Sequence, residues 1–277
     1  MGNVYKNSQT QFINVDGTKF AYRKLGLGTG VPVIFLNHLG ATLDNCDPRI
    51  MDGIATKHQI LAFDNRGIGA TKGVTPITIA EMAKDAISFI KALGYEKVDL
   101  MGFSMGAFIA QEILLQEPQL VRKAIMTGTG PAGGVGIDKV TSITYKDMLK
   151  GYLTFRDPKF YLFFNQNVVG RNAARQFLIR LKERTENRDE KIRIQSFSNQ
   201  LKAIHAWGLQ QPQDLSVIKQ SVLIVNGDND RMVPSSNTTD LAKRLQNSEL
   251  IIYKDSGHGG MFQYYEDFVK KTLEFLK

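Results

Sequence analysis

A single cysteine, Cys46, among 277 residues excludes an internal disulfide and any metal site built on several thiolates. Histidine is nearly as scarce: His38, His58, His205 and His258 are the only four, so a general base has few candidates. No apolar run approaches the roughly 20 residues needed to cross a bilayer. The stretch Met1-Gly2-Asn3-Val4-Tyr5-Lys6 has no apolar signal core, and Lys6 stands where a myristoylation signal requires Ser or Thr. Internal repeats, low-complexity tracts and metal-ligand clusters are missing as well. Neither Gly67-Ile68-Gly69 nor Gly26-Leu27-Gly28-Thr29-Gly30 has the three-glycine spacing between strand and helix that a dinucleotide fingerprint needs. These absences lead us to expect a soluble, cytoplasmic protein that uses no cofactor or metal and has no nucleic-acid or membrane partner. Oligomeric state is left open.

What the chain does have is apolar substance, 43% hydrophobic residues, and a net charge of +8. The charge is concentrated. Residues 131–212 hold seven Lys and seven Arg against four Asp and three Glu. With neither helix-turn-helix spacing nor zinc ligands in that segment, the excess reads as a basic solvated surface. A subsidiary expectation is that this surface draws in anionic substrates, which would make catalysis of acids salt-sensitive.

The beginning alternates like an antiparallel pair, Gln11 to Val15 and Lys19 to Lys24, joined at Asp16-Gly17. Short apolar runs without strict alternation follow at 31–36, 59–63, 98–103 and 121–127, as strands buried on both faces require, and two further apolar strands come late at 221–225 and 250–253. Helical patterns intervene. One spans Ile79 to Leu93, with Thr78 and Glu81 as a capping box and Gly94 after its end; others fall at Ala107 to Leu115, near Asp240 to Leu245, and from about Phe262 to Leu276. The alternation implies an α/β fold: a mostly parallel, helix-flanked sheet entered through a hairpin. Between Pro131 and about Pro212 strand signals vanish, helix-period runs such as Ala173 to Leu181 take over, and aromatics cluster at Phe160, Tyr161, Phe163 and Phe164. We read 131–212 as an inserted helical cap, with 1–130 and 213–277 forming the core.

Gly102-Phe103-Ser104-Met105-Gly106 lies between the strand pattern at Val98 and the helix pattern at Ala107. That is the context of a nucleophile elbow, whose sharp turn needs small residues two positions on either side of the serine. A serine hydroxyl is a weak nucleophile and requires a histidine base oriented by a carboxylate. His38 follows a strand, His58 begins one, and His205 lies in the helical insert. His258, in Asp255-Ser256-Gly257-His258-Gly259-Gly260, follows the last strand, where open parallel sheets place their sites. The preceding strand ends in Asn226-Gly227-Asp228-Asn229-Asp230-Arg231, which offers Asp228 and Asp230; Asp255 is a third acid, more suited to capping its own loop.

The order Ser104, acid, His258, together with blocks at Leu36-Asn37-His38-Leu39-Gly40 and Asp64-Asn65-Arg66-Gly67-Ile68-Gly69-Ala70-Thr71, resembles the α/β-hydrolase superfamily over nearly the whole chain. The resemblance leans towards small-ester and lactone hydrolases of the 3-oxoadipate enol-lactonase-like type. It implies an eight-stranded sheet with an inserted cap. Gly227-x-x-Asp230-x-x-Val233-Pro234 resembles the family's acid block, which makes Asp230 the acid, so the implied catalytic triad is Ser104, Asp230 and His258. Backbone N–H groups of Met105 and, by alignment of the Asn-His-Leu-Gly loop, Leu39 are the implied oxyanion hole. His38 then adjoins that hole, as a substrate contact or as a brace for its own loop. Phe160, Phe164 and Trp207 are candidates to line the cap pocket, and core packing is an equal alternative for them. The implied substrate is a small ester or lactone. Carbon–carbon bond hydrolases, aminopeptidases and perhydrolases share the triad, and a triad-bearing ligand receptor with slow turnover is the rival from another class.

Overall fold

The structure, a computed structural model, describes residues 4–277; Met1, Gly2 and Asn3, the start of the amino-terminal stretch read above, lie outside the described residues. Strands β1 (Gln11–Val15) and β2 (Thr18–Leu25) pair antiparallel across Asp16 and Gly17. Both turn residues take positive φ, 49° and 78°, which matches the twist of the flanking strands. β2 then pairs antiparallel with β4 (Ile60–Phe63), and from there the sheet is parallel: β3 (Val33–Leu36), β5 (Val98–Phe103), β6 (Val121–Thr127), β7 (Ser221–Gly227) and β8 (Ser248–Tyr253). The eight strands lie in the order β1-β2-β4-β3-β5-β6-β7-β8. β3, β4 and β5 are buried at every position, the reason their sequences are continuous apolar runs.

Helices cover both faces. On one, α2 (Ile79–Ala92) and α3 (Met105–Gln116) pack together and enclose an apolar cluster with Ile34, Leu100 and Ile224 from the sheet. On the other, α1 (Pro48–Ala55) packs beside the carboxy-terminal helix (Tyr265–Leu276) over Phe35, Met101 and Val225. α1 was not legible in the sequence, although it has ordinary start signals: Asp47 caps the Arg49 N–H at 3.0 Å and Pro48 opens the helix. At the head of α2, Thr78 Oγ1 accepts the Glu81 N–H at 3.2 Å. The reciprocal arm differs from the expected capping box, because the hydroxyl itself donates to the Glu81 carboxylate at 2.9 Å.

Between β6 and β7 the chain forms α4 (Val140–Leu153), the single-turn α5 (Lys159–Leu162), α6 (Val168–Arg180) and α7 (Ile194–Leu209). After β7 come α8 (Ser235–Arg244), α9 (Gly260–Gln263) and α10, the carboxy-terminal helix already described. Most Lys and Arg side chains of 131–212 are exposed, as the expected basic solvated surface requires, with two buried exceptions. Arg180 and Arg184 are buried and spent on the core. Arg180 grips Asp47 through Nε and Nη2, at 3.0 and 2.7 Å, and donates to Phe262 O at 3.0 Å; Arg184 donates to the carbonyls of Lys6 and Ser8. Such forked pairs fix orientation as well as charge.

A pair of like charges also joins this segment to the core. Asp64, after β4, and Asp189 both accept the Leu43 N–H, at 3.0 and 3.1 Å, and the Ala70 N–H, at 3.3 and 3.0 Å. Burial, and then the charge of Asp189, push the Asp64 carboxyl well above its usual value of 3.8. A carboxyl whose folded pKa is raised contributes stability that is complete below the unfolded value and is lost as pH rises through the folded one. Melting temperature is therefore expected to fall for the wild type as pH rises from the usual carboxylate range through the raised folded value, and to fall less for Asp64→Asn, whose amide stays neutral. Thermal melts of both across that range check this; parallel curves would contradict it.

Candidate active site

Ser104 joins β5 to α3 with φ 55° and ψ −118°. A non-glycine residue there costs on the order of 1–3 kcal/mol and persists only when its surroundings over-determine it. Here they do. A Cβ on Gly102 would collide with Gly106 O, and one on Gly106 with Leu36 O, so strand and helix can meet this closely only with glycine at both positions. Ser104 N–H donates to Thr127 O at 2.8 Å, and Ser104 O accepts from Ala107 and Phe108 at the start of α3.

The two later loops converge on the same point. Gly227 lets the loop after β7 touch the loop after β8, since a Cβ would strike the carbonyls of Ser256 and Gly257. Asp230 is buried with both oxygens engaged: Oδ1 accepts the N–H groups of Met232 at 2.8 Å and Val233 at 3.0 Å, and Oδ2 accepts from His258 Nδ1 at 2.7 Å. The other acids do different work. Burial pushes the Asp228 carboxyl up, but hydrogen bonds from the Ser256 and Asp255 N–H groups and from Asn229 Nδ2 together outweigh it and hold the carboxyl below the usual range. Asp255 accepts from Asn167 Nδ2 at 2.6 Å, tying the start of α6 to the histidine loop. The His258 ring lies 4.9 Å from the Phe103 ring and 5.7 Å from the Phe163 ring. With Nδ1 donating to Asp230, Nε2 is left to accept.

The loop after β3 forms the facing wall. Asn37 Nδ2 donates to Phe63 O at 3.2 Å and its carbonyl accepts from Cys46 Sγ at 3.4 Å. Burial pushes the Cys46 thiol up to about 12, which makes it an unreactive brace rather than a nucleophile. His38 Nδ1 lies 2.8 Å from Leu39 O, so this histidine does tie down its own loop, and it also lines the cavity. Burial, then the nearby Lys159 charge, push it down to about 3, and it is neutral at physiological pH. The N–H groups of Leu39 and Met105 donate to no protein group among the described residues.

Ser104, His258, His38 and Leu39 share a cavity of about 130 Å³. Its remaining walls are mostly apolar, with Phe108 from α3, Val140, Thr144 and Met148 from α4, Leu162 and Phe163 around α5, Phe197 and Ile204 from α7, and Met232 and Val233 from the acid loop. Asp157 and Lys159 are its charged lining. Three candidates from the sequence do not reach it. Phe160 is buried against Tyr161 and beneath the Arg156 guanidinium, and Phe164 packs on Phe163 and Phe177. Trp207 stands one layer behind the wall, stacked on Phe108 with ring centroids 5.3 Å apart. The α4 wall had a signal in the sequence, since Val140, Thr144 and Met148 recur every fourth residue.

Sheet order and site point to one class, the α/β hydrolases. The chain belongs to that family, whose model, described as alpha/beta hydrolase fold, matches residues 31–264. An alpha/beta hydrolase fold protein from Chitinophaga pinensis is 37% identical, with 99% of each chain covered and a TM-score of 0.95. The provisionally named carbamate hydrolase RutD of Rhizobium rhizogenes is 27% identical over 256 residues, which cover 88% of this chain and 92% of that one. The enol-lactonase of Burkholderia xenovorans, at 18% identity with 96% of this chain and 99% of that one covered, shares the fold with a TM-score of 0.77.

Proposed function

We propose that this chain is a serine hydrolase of small carboxylic esters or lactones, with residues 131–212 as a cap over a core of 1–130 and 213–277. The observation that carries the reading is the buried 2.7 Å bond between His258 and Asp230, on the same cavity as the strained Ser104. In the proposed reaction His258 Nε2 takes the proton from Ser104 Oγ as that oxygen attacks the carbonyl carbon. Asp230 holds the proton on Nδ1 and stabilises the imidazolium. The Leu39 and Met105 N–H groups receive the charge that develops on the carbonyl oxygen. The tetrahedral intermediate then expels the alcohol, protonated by His258, and leaves an acyl-enzyme that His258-activated water hydrolyses. A relative named for carbamates and a structural neighbour named for an enol-lactone support an acyl carbon bonded to oxygen or nitrogen as the point of attack.

The cavity is small and its walls give the acyl chain apolar surface, worth about 0.8 kcal/mol per buried methylene until the space is filled. Steady-state hydrolysis of p-nitrophenyl acetate, butyrate and octanoate, beside a panel of small lactones, is the test. The expected result is multiple turnover, with kcat/KM rising from acetate to butyrate and falling at least about tenfold at octanoate. Absence of turnover on every ester and lactone would contradict the reading.

A further inference from the structure

Helix α4 is apolar on more than its inner side. Tyr145, Met148, Leu149, Tyr152 and Leu153 are spaced i, i+3, i+4, i+7 and i+8, the pattern of a helix meant to be covered, yet all five are exposed. Phe155 continues the patch just past the helix, 98% exposed and held at φ 54°. That positive φ belongs to the cap of α4, where Phe155 N–H donates to Tyr152 O and Arg156 N–H to Gly151 O, so the backbone is accounted for locally while the ring stays uncovered. The surface is also firmly mounted, because Asp147 on the buried side of α4 pairs with Arg231 beside the acid loop.

Size and composition indicate what covers it. With exposures of 52%, 79% and 98%, Tyr145, Tyr152 and Phe155 present on the order of 450 Å², taking about 200 Å² for each aromatic side chain. Met148, Leu149 and Leu153 bring the patch towards the roughly 800 Å² that each partner contributes to a standard stable interface, well beyond a scattered surface hydrophobe. Tyr, Phe and Met are the residues enriched at interface centres, while charge is displaced to the flank, where Lys150 already lies over the Tyr161 ring at 4.4 Å. The nine residues from Tyr145 to Leu153 give a stripe about 13 Å long. A second copy of the same stripe, running antiparallel, matches it along its whole length and closes after two chains.

We infer that the outer stripe of α4 is the contact face of a two-fold homodimer of this chain. Because α4 also lines the cavity through Val140, Thr144 and Met148, the partner helix supports the cavity wall from outside. The inference goes beyond the proposed hydrolase activity and does not rest on it.

Sedimentation equilibrium of the full chain from about 1 to about 100 μM tests it, on wild type, Leu149→Glu, Leu153→Glu and the control Leu27→Glu, an exposed residue of the loop after β2, whose glycine neighbours pack on Ala55, His58 and Gln59. The expected result is a wild-type mass of twice 31.0 kDa, a dissociation constant at least about tenfold weaker in the two α4 variants, and an unaltered dimer in the control. Circular dichroism verifies that the variants fold, and the exposed positions tolerate glutamate in a monomer. A monomeric wild type at the highest concentration overturns the inference, as does a dimer that both α4 substitutions leave intact. If the wild type is monomeric and floats with phosphatidylglycerol vesicles while the α4 variants do not, the stripe is a lipid-docking face and the inference is likewise wrong.

Discussion

Ser104→Ala is expected to lower kcat on a p-nitrophenyl ester by about four to six orders of magnitude, a loss of roughly 5–8 kcal/mol of transition-state stabilisation. In the proposed mechanism the substitution removes the atom that would form the covalent bond, and leaves the rest of the cavity in place. The Leu39 and Met105 donors and the apolar walls remain, so KM should change by no more than a few-fold and a small residual rate should persist. The local backbone is fixed independently of the hydroxyl: Ser104 N–H and O keep their bonds to Thr127 O and the N–H groups of Ala107 and Phe108. Alanine tolerates the left-handed turn about as poorly as serine, so the thermal midpoint should move little. Rates of wild type and variant on butyrate check the prediction; retention of more than about a hundredth of kcat would contradict it.

Asp230→Asn should cost nearly as much, about 10⁴-fold in kcat, with the fold intact. The reason lies in which oxygen is already committed. Oδ1 accepts the Met232 and Val233 N–H groups, so the asparagine carbonyl must occupy that side and its Nδ2 must face His258. An amide donor there forces Nδ1 to accept, moves the imidazole proton to Nε2, and leaves no base for Ser104. Asp228→Asn is the control. Asp228 is exposed and serves Ser256 N–H rather than the imidazole, so the change should cost only a few-fold in kcat. Steady-state kinetics of the two variants distinguish the acids, and an equal loss in both would remove Asp230 from the role.

Much of this was legible in the residues because local and global signals agree. The apolar runs of β3 to β7 could only be doubly buried strands, and glycine at 102 and 106 was required by an approach that the structure now shows. The choice between Asp228 and Asp230 was not local, since both lie in one polar loop. Spacing in a family resemblance favoured Asp230, and the geometry supports the same proposal, since at Asp230 two backbone N–H groups hold one oxygen while the other meets His258. Residues 131–212 were harder. Phe160, Phe163 and Phe164 fall within five residues at a helix of one turn, where spacing does not reveal which ring turns inward, and the structure selects Phe163. Trp207 meets Phe108 from far away in sequence, and Arg180 is separated from Asp47 by 133 residues. Pairings of that range leave no periodic trace, so a basic count in the sequence concealed the buried forked pair of Arg180 with Asp47.

The central claim is that Ser104 is the nucleophile, activated by His258. It is tested most directly by incubating the protein with a p-nitrophenyl alkylphosphonate, an electrophile that traps activated serines, and measuring intact and peptide masses. The account predicts one adduct per chain on the peptide containing Ser104, loss of esterase activity in proportion to labelling, and no adduct in Ser104→Ala or Asp230→Asn under the same conditions. An adduct on another residue, or full esterase activity surviving complete labelling of Ser104, would contradict it.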